Sequence, residues 1–399
     1  MALHSTPTGK RRQQLAAAVN GALARVDLQL VRRRRFQELL GRDRQASAAA
    51  DTPAAEHAAQ ETPAPGFGGG DSDLAPADDQ PAPNAVREAL RSDHPRLLEL
   101  KRRYAGHPAG ARSVWSEDTI ARDLALPWFR RDNAYMWQSR EFGYWDDDGA
   151  WTPAPTRALN YLLSAYYVRS VDRLGLLDKL GDDAEFGALT VEVADDWIVT
   201  RDLLDSVLEI NFLERHLELT SRDALEMLDV GAGYGRLAYR ITQAFANVAR
   251  VLCTDAIPES TFVSEFYLRA RGAEARTDVV ALDEIEMRLQ QASVTVAMNV
   301  HSFPECPMEA IAWWLQLLAA NSIPYLFFVT DTTLLHSREP DGRRLDFEPL
   351  LRSHGYEQVA LEPKYRLSRR VQQHGIFPAH YHLYRSAATA RAGAPMRSR

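Results

Sequence analysis

From residue 225 to residue 385 the chain repeats one pattern: a short apolar run, a turn, then a stretch with apolar residues three and four apart. The runs are LEMLDV, ARVLCTD, TDVVAL, VTVAMNV, PYLFFVT, GYEQVALE and AHYHLYR. Such runs read as strands buried on both faces, and the amphipathic stretches between them as crossover helices. Alternating strand and helix in this way forces a parallel sheet with helices packed against it. The expected fold class is α/β, a mostly parallel seven-stranded sheet flanked by helices over residues 221–386.

Upstream the period changes. NAVREALRSDHPRLLELKRRY, TRALNYLLSAYYVRSVDRLGLLDKL and RDLLDSVLEINFLERHLEL all have helical spacing, and ALTVEV reads as a short strand, so residues 84–220 form a mainly helical region. Within it, LPWFRRDNAYMWQSREFGYWDDDGAW is aromatic and charged without a period, and reads as an ordered, substrate-facing segment. Residues 45–83 are rich in Ala, Pro, Gly and acid and hold no Lys or Arg. They cannot bury enough apolar surface to offset chain entropy, and a disordered linker is expected. Residues 1–44 set Leu15, Val19, Leu23, Val26 and Leu30 at helical spacing beside four arginines at 32–35. That is a basic amphipathic helix, suited to an anionic membrane surface, to a partner protein, or simply to solvent. Residues 387–399 read as a disordered tail.

The balance of 47 basic to 54 acidic residues, a net charge of −7, argues against nucleic acid as a partner held by overall charge. Two cysteines, Cys253 and Cys306, are too few for a disulfide framework, and a reducing cytoplasm is expected. No apolar run approaches the roughly 20 residues of a membrane span, and no secretory leader is expected. Oligomeric state leaves no mark in the sequence.

The chemistry is concentrated in LEMLDVGAGYGRLAYRI, residues 225–241. Asp229, Gly231, Gly233 and Gly235 follow a strand and open a helix in D-x-G-x-G-x-G spacing. A dinucleotide fingerprint would need glycine where Arg236 stands, and there is no phosphate-loop lysine. Asp255 in VLCTDAIPES lies about 20 residues further on, where a βαβ unit places an acid for ribose hydroxyls. A carboxylate suits that task because it only accepts hydrogen bonds. The fourth strand ends in AMNVHSFPECP. Ligands of open α/β sheets sit beyond the carboxyl ends of the strands, which brings Asn299, His301 and Glu305 towards the ligand.

The glycine spacing resembles motif I of class I S-adenosylmethionine-dependent methyltransferases. TRDLLDSVLEINFLE, DVGAGYGRLA, DAIPES and NVHSFPEC together resemble the sugar O-methyltransferase family within that class, over roughly residues 115–385. The family tendency after the fourth strand is Ser-Phe-Gln-Glu-Met; Ser302, Phe303 and Glu305 match, whereas Pro304 and Cys306 depart. The resemblance implies a Rossmann-like class I methyltransferase fold and S-adenosyl-L-methionine as cofactor. It implies methyl transfer to a hydroxyl of a saccharide, polysaccharide or glycolipid by in-line displacement. Asp229, Gly231, Gly233, Gly235, Asp255 and Asn299 are then the expected cofactor residues. In that reading the glycines pass under the methionine portion, where a Cβ would collide, and Asp229 either meets its amino group or caps a turn.

His301 and Glu305 are the expected catalytic pair, since a neutral His, or a Glu whose pKa is raised, can take a hydroxyl proton. Glu305 is equally suited to binding the sugar. Arg201 and Asp202 match the family's Arg-Asp and either bind substrate or form an ion pair between the two halves. Tyr135, Trp137 and Gln138 are candidates for stacking and bonding to a pyranose, or for core packing. Arg236 either meets the cofactor carboxylate or packs on its helix. Glu305 and Asp331 make no convincing metal cluster, and no metal is expected. A non-sugar acceptor, or a non-catalytic scaffold that binds the cofactor, remains open at this point.

Overall fold

In the computed structural model, which describes residues 90–110, 114–116, 119–120, 126, 143–145, 151–153, 155–181, 190–194 and 197–392, each of the seven apolar runs becomes a strand of one sheet. Two small antiparallel hairpins precede it, β1 (Gly143–Trp145) with β2 (Trp151–Pro153), and β3 (Val191–Ala194) with β4 (Trp197–Val199). The sheet strands are β5 (Leu225–Val230), β6 (Val248–Thr254), β7 (Thr277–Val279), β8 (Val294–Val300), β9 (Tyr325–Thr330), β10 (Tyr356–Pro363) and β11 (His380–Ser386). Their order is β10-β11-β9-β8-β5-β6-β7. Every pairing is parallel except those of β11, which runs antiparallel to both β9 and β10.

The chain enters at the centre with β5, moves outwards through β6 to β7, then crosses to β8 on the other side of β5. The order therefore reverses between β5 and β8, and a crevice opens beyond their carboxyl ends. The central strands are covered on both faces: Met227, Leu228 and Val230 of β5, and Val296, Ala297 and Met298 of β8, are all buried.

The main helices are α1 (Pro95–Tyr104), α2 (Pro155–Val171), α3 (Arg201–Leu217), α4 (Arg236–Ala244), α5 (Pro258–Ala270) and α6 (Met308–Ala320). Helix α1 starts later than its periodicity implies: residues 90–94 are not helical, and His94 caps the helix by accepting the Arg96 amide. Pro95 fits there because the first helical position needs no amide donor. Helix α1 is clamped to α5, with the Tyr104 hydroxyl 2.9 Å from Thr261 Oγ1 and Arg96 forked onto Glu265. Phe212 of α3 stacks on Phe327 of β9 at 5.2 Å between ring centroids.

Residues 387–392, expected in a disordered tail, continue from β11 as a short helix. The expected basic helix, the linker, and Tyr135, Trp137 and Gln138 lie outside the described residues. Among the described residues no helix is long and apolar enough to cross a membrane.

Candidate functional site

A cavity of about 480 Å³ occupies the crevice, lined by the ends of β5, β6, β8 and β9. Of the residues singled out from sequence, Asp229, Gly231, Gly233, Asp255, His301, Glu305, Arg201, Arg236, Ser302, Pro304, Cys306 and Asp331 line it. Asn299, Gly235 and Asp202 do not.

The turn from β5 into α4 needs glycine because φ is +72° at Gly231, +57° at Gly233 and +91° at Gly235, a region costly for residues with a Cβ. What a side chain would strike differs from the sequence expectation. A Cβ on Gly231 would lie 2.2 Å from Ser302 Oγ and 2.4 Å from Ser302 Cβ. On Gly235 it would lie 3.0 Å from Leu268 and Ser264 of α5. Those two glycines answer to protein packing. Gly235 in particular packs in the contact between the turn and α5 and does not line the cavity.

Gly233 turns its amide towards Asp255, donating to Oδ2 at 3.0 Å, and the Ile257 amide donates to Oδ1 at 2.9 Å. Asp255 thus ties the turn after β5 to the turn after β6 and holds both against the cavity. Asp229 is 3% exposed at the end of β5. Loss of water pushes its carboxyl up to about 7, against the pull of the Arg236 guanidinium. Among the described residues no hydrogen bond reaches that carboxyl, although it faces the cavity. A buried acceptor without a donor is costly unless something supplies one. A cationic donor group of a bound molecule would satisfy this carboxyl.

Asn299 lies beneath the cavity wall. Its Nδ2 donates to the Val230 carbonyl and its Oδ1 accepts the Phe303 amide, both at 2.9 Å, so both ends of the amide stitch β5 to the turn after β8. Asp202 is fully buried and accepts a hydrogen bond from the Tyr234 hydroxyl, behind the glycine turn. Arg201 faces the cavity over the Phe377 ring at 3.6 Å, and its Nε donates to Asp205 at 3.2 Å. Asp205 in turn is paired with the buried Lys364. Arg236 forks onto Glu209 of α3 at 3.0 and 3.3 Å and reaches Ser206 Oγ at 2.8 Å. It locks α4 to α3.

On the acceptor side, His301 has φ of +61° and donates its amide to the Val329 carbonyl at 3.0 Å. Its Nδ1 lies 3.3 Å from Asp331 Oδ1, and that hydrogen bond holds the Asp331 carboxyl below the usual range. Glu305 accepts the Trp115 indole N–H at 2.6 Å, and burial pushes its carboxyl up to about 7. Burial also pushes the neighbouring Cys306 thiol up to about 12, far from a nucleophilic thiolate. No group of three or more His, Cys, Asp or Glu side chains that could hold a metal occurs among the described residues. Sequence reasoning missed Trp115, Phe377, Arg338 and Arg344 as cavity residues. It weighs Asp331 only as a metal ligand, whereas the carboxylate is the partner of His301.

Six strands parallel and one reversed, in this order, with a glycine turn opening at the switch point, define the class I methyltransferase Rossmann-like fold. No family model matches the chain, and no curated protein matches it. Solved structures do. Magnesium protoporphyrin IX methyltransferase from Synechocystis, with bound S-adenosylmethionine, is 13% identical over 47% of this chain and 83% of its own, at a TM-score of 0.34. An S-adenosylmethionine-dependent methyltransferase from Aquifex aeolicus is 17% identical over 43% of this chain and 88% of its own, at 0.32. Precorrin-6y C5,15-methyltransferase from Geobacter metallireducens is 14% identical over 49% and 92%, at 0.32.

Proposed function

We propose that this chain is an S-adenosylmethionine-dependent O-methyltransferase whose acceptor is a hydroxyl of a saccharide, free or within a polysaccharide or glycolipid. One observation carries the methyltransferase reading: a single cavity is lined both by a cofactor-type set, Asp229, Gly233 and Asp255, and by a base-type set, His301, Asp331 and Glu305. The saccharide rests on the sequence resemblance around Ser302, Phe303 and Glu305.

When bound, S-adenosylmethionine supplies a methyl group already activated on its sulfonium. The protein's work is to align the acceptor and remove its proton. Asp255 would accept from the ribose hydroxyls, since a carboxylate oxygen can take more than one donor. Asp229 would hold the ammonium group. His301 takes the acceptor proton on Nε2 while the Asp331 carboxylate orients Nδ1–H and stabilises the imidazolium that forms. Glu305, held by Trp115, hydrogen-bonds a second sugar hydroxyl and donates or accepts according to pH. The basic helix expected at residues 1–44 would bring the enzyme to an anionic surface where such glycans are assembled.

Incubation with methyl-labelled cofactor and a panel of saccharides, phenols and carboxylic acids tests the proposal. Label on saccharides, lost in His301→Ala, supports it. Label confined to phenols or carboxylates would discard the sugar, and no transfer to any class would discard the activity.

A further inference from the structure

Beyond β9 the chain forms a hairpin that the methyl-transfer chemistry does not use. The Ser337 amide donates to the Leu345 carbonyl and the Glu339 amide to the Arg343 carbonyl, both at 2.8 Å, and His336 bridges Asp346. In that register Arg338 stands directly opposite Arg344. The ladder bonds run through 337/345 and 339/343, so 338/344 is a non-hydrogen-bonded pair, the kind whose side chains come closest.

Like charges set directly opposite on one face destabilise a hairpin. Both arginines are exposed, and both line the cavity. Among the described residues neither guanidinium is ion-paired. The nearest acids hydrogen-bond elsewhere, Asp331 with His301, Glu305 with Trp115, and Asp346 with the Glu348 amide, although the charges of Arg344 and Arg338 still act on Asp331 and Glu305 from beyond ion-pair distance. Arg343, between them in sequence, is by contrast paired with Asp341. Two guanidinium groups without an ion pair, set on opposite positions of one hairpin at one cavity wall, match what a phosphate or carboxylate needs, since each presents a planar fork of donors.

We propose that Arg338 and Arg344 form an anion subsite, and that the acceptor carries a phosphate or a carboxylate beside the hydroxyl to be methylated. The second clause rests on the methyltransferase reading; the first does not. A sugar phosphate or a uronic acid would satisfy it, and a neutral sugar would leave the pair unmatched.

The test is calorimetric titration of the full chain with glucose 1-phosphate, glucuronic acid and glucose, at low and high salt, without cofactor. At least one anionic sugar should bind about tenfold or more tighter than glucose, with the advantage shrinking as salt rises. Arg338→Gln and Arg344→Gln should each erase most of that advantage, whereas Arg343→Gln should leave it intact. Both variants should also melt no lower than the parent, because the like-charge opposition is relieved; a purely structural pair would show the reverse.

A preference for the phosphate identifies a phosphorylated acceptor, and one for the carboxylate a uronic acid. Equal binding of glucose, no binding of either anion, or an advantage that survives both substitutions would overturn the subsite. Titration with S-adenosylmethionine alongside separates the two claims. Anion binding without cofactor binding would sink the methyltransferase reading and leave the subsite. Cofactor binding with no anion preference would do the opposite.

Discussion

Replacing Gly231 by Ala tests the architecture of the glycine turn. The new Cβ would sit 2.2 Å from Ser302 Oγ and 2.4 Å from Ser302 Cβ, at a φ of +72°. Left-handed backbone costs a residue with a side chain roughly 1–2 kcal/mol. Overpacking a closed contact adds about 1–3 kcal/mol. The sum, about 2–5 kcal/mol, is a large share of the roughly 5–15 kcal/mol that holds a domain together. Urea denaturation of the full chain, read by tryptophan fluorescence, should show the midpoint falling accordingly. The second substitution is the sharper probe. Ser302→Gly in the Gly231→Ala background removes both clashing atoms and should recover the packing part but not the backbone part. Ser302→Ala keeps the offending Cβ and should recover much less. The double-mutant cycle isolates the coupling between the two sites. Parental stability in Gly231→Ala, or no coupling to Ser302, would refute the view that protein packing sets this glycine.

Three further outcomes follow from the same structure. Arg236→Leu leaves Glu209 buried without its partner and should cost about 3–5 kcal/mol in urea denaturation; Glu209→Leu in that background should return part of it. Asp229 has a folded pKa of about 7 against an ordinary 3.8, so its contribution to stability is full below about 4 and lost as pH rises through 7. Asp229→Asn should therefore gain stability over the parent above pH 7, and S-adenosylmethionine should displace a proton on binding near pH 6. Calorimetry in buffers of different ionisation enthalpy reads that proton, and its absence would remove Asp229 from the cofactor site. Trp115→Phe takes away a donor that lowers the Glu305 pKa, so any Glu305-dependent limb of the pH–rate profile should move upwards from about 7.

The sheet was legible because its strands are continuous apolar runs, and burial on both faces demands such runs wherever they occur. The reversal of β11 was not, since AHYHLYR reads the same in either direction. Gly233, Asp255, His301 and Glu305 reach the cavity because strand ends at a switch point converge there whatever the side chains are. Asn299 shows where that reasoning stops. Two residues apart on a regular strand, Asn299 and His301 would point the same way. The left-handed φ at His301 breaks the pleat, sending the imidazole to the cavity and leaving the amide on the backbone. Pairings such as Trp115 with Glu305 or Arg236 with Glu209 join distant segments and leave no local pattern. The Arg338–Arg344 hairpin did carry a signal, the Asp341–Gly342 turn, with positive φ at Gly342.

In the proposed function Asp255, the acid joining the first two sheet strands, holds the ribose of S-adenosylmethionine. Titrating the full chain with that nucleoside, before and after Asp255→Ala, tests it most directly, with circular dichroism confirming that both proteins are folded. The parent should bind, and the variant should bind about tenfold or more weakly. Equal affinity in the two folded proteins would contradict it.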